Sequence, residues 1–294
     1  MEDHQPIPAP EVPQPSPVDP QSSVLEPPPL LSPTPRGRWR WWVHFLVIGF
    51  YPLLIGVAGL GKSPAGMPAL GESSRYLLTT CATELAIFGS LFGLAVWISR
   101  APKDFLLLHW RGGFWPLPLG VGYSILLRVA LGVFVGLLAL ILIASGVVSL
   151  HSLQDYFMDN RPNVEAVVDV SSLRNNPVYF WLTLTLVSFV VAGLREELWR
   201  SAFLAGVRGL WPARFSSRKG QLVAVVFAAV IFGLGHAPQG PIAIALTGFL
   251  GLGLGAIMVF HKSIWPAVIA HGMFDATSLA LLPWALESIK GIHN

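Results

Sequence analysis

Residues 191–203 read VAGLREELWRSAF, and they decide how the rest of the chain is read. Glu196, Glu197 and Arg200 stand inside a stretch, Val178–Leu204, that is otherwise apolar enough for a membrane helix. Two further stretches repeat the anomaly. His236 closes VIFGLGH at 230–236, and His271 with Asp275 interrupts PAVIAHGMFDATSLALL at 266–282. A charged group at the bilayer centre costs about 2.5–3.5 kcal/mol on insertion scales, so several in neighbouring spans add up to roughly 10 kcal/mol unless they meet and pair. The expectation is that the fold brings them together. Carboxylates meeting imidazoles in a membrane suggest either a water-activating hydrolytic site or an ion path.

Composition supports the membrane reading. Of 294 residues 53% are hydrophobic and 12% charged, against about 25% charged in an ordinary soluble domain. Seven hydrophobic spans are expected, near Trp41–Leu60, Tyr76–Ile98, Leu119–Val148, Val178–Leu204, Leu222–His236, Pro241–Phe260 and Ile264–Leu282. The fold class that follows is an all-α polytopic helical bundle occupying about 41–285. Residues 1–35 hold twelve of the 25 prolines and are expected to be a disordered tail rather than a signal peptide. Cys81 stands alone, so no intrachain disulfide is expected.

Orientation follows basic residues in short loops. Arg36, Arg38 and Arg40 precede the first span, Arg100, Lys103 and Arg111 follow the second, and Arg208, Arg214, Arg218 and Lys219 follow the fourth. The alternate loops hold only Lys62, Arg75, Arg161 and Arg174. A multi-pass protein of the cell membrane with a cytoplasmic N-terminus is expected. The basic loops are explained by topology, so no nucleic-acid partner is.

Helical spacing sorts the polar residues into faces. Residues four apart are neighbours, which pairs His271 with Asp275, Phe232 with His236, and Glu196 with Arg200. Glu197 lies about 100° round the helix from Glu196, so one carboxylate can be structural and the other chemical. Glu84 and Arg128, in the second and third spans, read as a buried ion pair. Gly251 and Gly255 make a small-xxx-small pair that lets another helix approach. Pro102–Pro116, with DFLLLHW, reads as a segment along the cytoplasmic interface. His44 and His109 are assigned only a place near the interfaces.

These residues also resemble a family. Glu-Glu near an Arg, then Phe-x-x-x-His, then His-x-x-x-Asn/Asp, in that order on successive membrane helices, resembles the CPBP family, which includes the CAAX prenyl-protein endopeptidases and bacterial Abi membrane proteins. The matching residues are Glu196-Glu197, Phe232 to His236, and His271 to Asp275, with FGLGHAPQG similar to the second motif and its turn. The resemblance covers about 178–282. It implies an intramembrane endopeptidase: Glu196 as water-activating base, Glu197 and Arg200 completing the first motif, His236 sharing the water, and His271 with Asp275 stabilising the oxyanion. A membrane-associated protein or peptide would be the substrate and the lipid bilayer the setting.

One departure stands out. The family reads Glu-Glu-x-x-x-Arg, whereas Glu196-Glu197-Leu198-Trp199-Arg200 is one residue short. Anchoring on the Glu pair makes Glu196 the base; anchoring on Arg200 puts Arg195 at the base position unless Glu197 substitutes. A catalytically silent scaffold or peptide-binding immunity protein is therefore the alternative, and a proton-coupled carrier is a third reading, disfavoured by the lack of repeated halves. A metal is left open. A divalent ion such as zinc would draw on Glu196, His236, His271 and Asp275, yet no His-Glu-x-x-His helix is present, and the same groups can activate water unaided.

Overall fold

The computed structural model describes residues 37–60, 68–110 and 112–292; the Pro-rich segment 1–35, Arg36, Lys62 and Arg111 fall outside them. Every regular element among the described residues is helical. Among the described residues six helices are long and apolar enough to cross a membrane: Arg38–Val57, Ser74–Ser99, Pro116–Ala144, Pro177–Leu210, Arg218–Gly235 and Pro241–His261. The seventh expected span is a 28-residue helix, Trp265–Ile292, and it is not among those six. His271, Asp275, Thr277 and Ser278 dilute its apolar run, so length and composition alone do not mark it.

The first crossing breaks into α1 (Arg38–Ile48) and α2 (Tyr51–Leu60). The cause is local. Pro52 has no N–H, and its ring excludes the carbonyl four residues back, at Ile48. A freed carbonyl in the membrane needs another donor, and the buried Trp199 indole supplies it, at 3.0 Å from the Ile48 oxygen and 3.2 Å from that of Gly49. After the break α2 turns against the end of the fifth crossing, where a Cβ on Gly56 would lie 2.7 Å from the Gly235 oxygen. The helices α3 (Ser74–Ser99) and α4 (Pro116–Ala144) follow, then two short helices, α5 (Leu150–Asp159) and α6 (Val170–Asn175).

The fourth crossing carries the decisive stretch. It begins as α7 (Pro177–Leu182), capped by Asn176, widens into π-helix over Thr183–Arg195, and ends as α8 (Glu196–Leu210). Beyond the four-residue α9 (Pro212–Phe215) come α10 (Arg218–Gly235), α11 (Pro241–His261) and α12 (Trp265–Ile292). Helix α10 packs on α11, α12 packs on the π-helical stretch and on α4, and α1 packs on α3 and α8. The Gly251 and Gly255 face is where α10 approaches, a Cβ on Gly251 falling 3.0 Å from the Phe232 ring. Gly193 plays the same part for α12, since a Cβ there would stand 2.9 Å from the Val268 oxygen.

One expectation needs correction, and two gain detail. Glu84 and Arg128 do not pair: Glu84 meets Arg195, while Arg128 bonds to α12. The expected interfacial segment, Pro102–Pro116, also packs on the start of α12. Its Leu106 and Leu107 are buried, and the Leu107 and His109 carbonyls accept from Ile264 N–H and the Ser263 hydroxyl at the start of α12. His44 is fully buried, with ring nitrogens 3.0 Å and 2.9 Å from the Ala95 and Ala202 oxygens, so it ties α1 to α3 and α8.

Candidate active site

The two adjacent glutamates face different neighbours, as a 100° step requires. Glu197 points inward and is completely buried, ion-paired with the equally buried Arg200. The expected Glu196–Arg200 pair is not formed. Three-residue spacing places Glu197 and Arg200 on one helix face as well as four would, so the shortened motif still closes. The Arg200 guanidinium also lies 4.8 Å from the centre of the Phe232 ring and 5.9 Å from that of Trp199, aromatic faces that suit a desolvated cation. Gly255 leaves room for it, a Cβ there coming 3.3 Å from Arg200 Cδ.

His271 reaches this pair from α12. Its Nδ1 is 3.0 Å from Glu197 Oε1. A carboxylate held ionised by Arg200 only accepts, so Nδ1 carries the proton and donates. The imidazole is thereby fixed in tautomer and direction, and its Nε2 faces the other carboxylates, 3.7 Å from Glu196 Oε2 and 3.7 Å from Asp275 Oδ2. Those distances are charge contacts rather than hydrogen bonds.

Glu196 belongs to a second cluster. Its Oε1 accepts from Arg195 Nη2 at 3.0 Å, and Arg195 Nη1 donates to Glu84 Oε2 at 2.6 Å. One guanidinium thus bridges α3 and the fourth crossing, leaving Glu196 Oε2 as the oxygen turned to His271. Tyr51, at the head of α2, adds its buried phenol to this cluster, in electrostatic contact with Arg195, Glu84 and Glu196.

His236 ends α10, its ring 4.7 Å from that of Phe232. Its Nδ1 is 2.8 Å from the Phe232 carbonyl. A carbonyl only accepts, so Nδ1 is the donor and Nε2 is the nitrogen left for chemistry. The Phe232 ring also meets His271, at 6.2 Å between centroids, and His236 is near enough to act electrostatically on Asp275. Depth agrees. Glu196 lies fourteen residues before the end of α8, about 21 Å, and His236 follows an 18-residue α10, about 27 Å. The continuation of the fourth helix to Leu210 brings the two depths to within about one helical turn.

Arg128 secures the far side. From α4 its Nη2 donates to the Phe274 carbonyl at 2.7 Å and to the Thr277 hydroxyl, and Nη1 donates to Ser124 Oγ at 2.5 Å. It clamps the turn of α12 that carries Asp275.

All six expected site residues therefore lie around one locus, and four more join them: Tyr51, Glu84, Arg128 and Arg195. The intramembrane charges of Glu84 and Arg128 are visible in the sequence, but their partners stand 111 and 146 residues away, beyond any spacing rule. Among the described residues no group of three or more His, Cys, Asp or Glu side chains is arranged to hold a metal ion.

No curated protein and no solved structure matches the chain with significant similarity. A family profile does match, described as Rce1-like, the type II CAAX prenyl endopeptidase, over residues 177–277. That interval runs from the first residue of α7 to two residues past Asp275, taking in Glu196, Glu197, His236 and His271. Over this segment the chain is therefore similar to the type II CAAX prenyl endopeptidases, which supports the resemblance to the CPBP/CAAX protease family.

Proposed function

We propose that the protein is an intramembrane endopeptidase that hydrolyses a peptide bond of a membrane-associated protein or peptide. The observation that carries this reading is the division within the Glu196–His271 pair. Glu196 has one oxygen held by Arg195 and the other facing His271 Nε2, while Glu197 fixes the opposite nitrogen of that imidazole.

The steps follow from those atoms. Water between Glu196 Oε2 and His236 Nε2 gives a proton to Glu196 as its oxygen attacks the scissile carbonyl carbon. The carbonyl π electrons move to oxygen. When protonated, His271 donates Nε2–H to that oxyanion, with Asp275 beside it to favour the imidazolium. Collapse of the intermediate breaks the C–N bond, and the proton on Glu196 passes to the leaving amine. Water is consumed and two termini result. No step is routed through a metal. The protein would sit in the cell membrane with its N-terminus in the cytoplasm, as its loop charges suggest.

A silent scaffold of the same family is the second reading, favoured by the motif that is one residue short. The test compares membrane-protein N-termini by mass spectrometry in native cells carrying wild type or Glu196→Gln. New N-termini seen only with wild type support the peptidase and reveal its substrate. Identical profiles at equal abundance would favour the scaffold.

A further inference from the structure

A slot of about 580 Å³ opens where α6 and α7 meet the second half of α12. Pro177, Phe180, Trp181, Ala280, Pro283 and Trp284 line it. The membrane-spanning stretch of the fourth crossing starts at Pro177, so Phe180 and Trp181 stand just inside the apolar layer and Arg174 just outside it. That is the level at which indoles settle in a bilayer, and Trp181 and Trp284 are 62% and 74% exposed. Two opposite charges hold the mouth of the slot. Arg174 Nη1 lies 2.7 Å from Glu287 Oε1, and Arg174 Nη2 donates weakly to the Pro283 carbonyl at 3.4 Å. Both side chains stay half-exposed, so a ligand can reach them.

The volume falls in the range of small-molecule sites, and the charges narrow the choice of occupant. A guanidinium has five N–H donors, of which the contacts above use only part, and a carboxylate has two accepting oxygens. The mouth therefore keeps capacity for an anion at Arg174 and for a donating cation at Glu287. An exposed ion pair alone adds little stability, so the pair is a weak strap between α6 and α12. We propose that the slot binds a zwitterionic phospholipid with a primary amine, of the phosphoethanolamine class. The phosphate sits on Arg174, the ammonium on Glu287, and an acyl chain covers the Trp181 and Trp284 rings. A purely anionic headgroup would meet Arg174 and be repelled by Glu287. A choline headgroup carries both charges but has no N–H to donate. Ala280 is five residues beyond Asp275, about 7.5 Å along the axis, so the lipid braces the helix that carries His271 and Asp275. The proposal does not depend on the endopeptidase reading.

The test is native mass spectrometry of the purified full-length protein in detergent, titrated with phosphatidylethanolamine, phosphatidylcholine or phosphatidylglycerol carrying identical acyl chains. Phosphatidylethanolamine is expected to bind about tenfold more tightly than either of the others, the worth of one charge-assisted hydrogen bond. Arg174→Gln and Glu287→Gln should each bring it down to the level of the other two lipids. Ala280→Trp fills the slot, leaves both charges, and should abolish the preference as well. Equal retention of all three lipids would show only an unselective lipid shell and overturn the proposal. A preference for phosphatidylglycerol, or tight binding undiminished in Arg174→Gln and Glu287→Gln, would overturn it too. So would a dimer peak that Ala280→Trp removes, since the slot would then belong to a second copy of the chain. If the variants do not accumulate, stepwise N-methylation of the headgroup decides on the wild type. A fall in affinity with each methyl supports the ammonium–Glu287 contact, and a flat series overturns it. None of these readouts requires cleavage, so their failure removes the lipid site and leaves the endopeptidase reading to its own test.

Discussion

Glu196 and Glu197 are neighbours in sequence and opposites in environment. Glu197 is sealed, with Arg200 on one oxygen side and His271 Nδ1 on the other. Glu196 keeps about 15% of its side chain exposed and has a single fixed partner, Arg195, for one of its two oxygens. The sealed carboxylate orients, because Arg200 and His271 Nδ1 each face one of its oxygens and no solvent reaches it. The open one can exchange a proton, because one oxygen is not. A Glu-Glu pair on a membrane helix thus serves two ends, and the helical step between adjacent residues is what separates them.

The strongest way to break the comparison is at the sealed side. Arg200→Met leaves Glu197 as an uncompensated buried charge, a loss of about 3–5 kcal/mol. The protein is expected to vanish from the folded fraction, read as monodisperse peak area after detergent extraction. A stable Arg200→Met protein would show that Glu197 is not sealed in the way described. At the open side the effect is chemical. Glu196→Gln keeps the acceptor for Arg195 but removes the base, so cleavage falls about 10²–10⁴-fold at an unchanged melting midpoint. Loss of folding in Glu196→Gln would erase the distinction between the two residues.

Glu84 sharpens the contrast from a distance. Glu84→Gln weakens one of two charged hydrogen bonds on Arg195, so Glu196 is held less firmly and cleavage drops about tenfold, the worth of one such bond. Abundance should stay level. A fall in abundance with full activity per molecule would make the Glu84–Arg195 pair a packing device alone.

The sequence makes the fold class and the family legible for one shared reason. Apolar runs of bilayer length are conspicuous, and ionisable residues inside them are costly enough to mark themselves, as Glu196, His236, His271 and Asp275 do. What spacing cannot supply is the partner across helices. Glu196 with Arg200 satisfies a four-residue rule, yet Arg200 turns to Glu197 and Glu196 to Arg195. Arg195 in turn reaches Glu84, 111 residues earlier. The π-helical stretch ahead of Glu196 has no counterpart in the apolar pattern of TLTLVSFVVAGLR, although it sets the phase at which Arg195 and Glu196 emerge.

The smallest expected effect lies where α4 steadies the reaction centre. Arg128 holds the Asp275 turn through the Phe274 and Met273 carbonyls, at 2.7 Å and 3.2 Å, and through the Thr277 hydroxyl. Thr277→Val removes only the hydroxyl and preserves the branched shape. Hydrogen bonds between membrane helices average about 0.6 kcal/mol, and the two carbonyls still accept from the guanidinium. Cleavage should therefore fall no more than about threefold, and the melting midpoint should shift by a degree or two. Arg128→Met removes the whole clamp and should exceed that loss severalfold, with Thr277→Val adding nothing on top of it. An additive double variant would mean that Thr277 acts on the Asp275 turn by a route other than Arg128, and the open side of the site would then extend further along α12 than its hydrogen bonds reach.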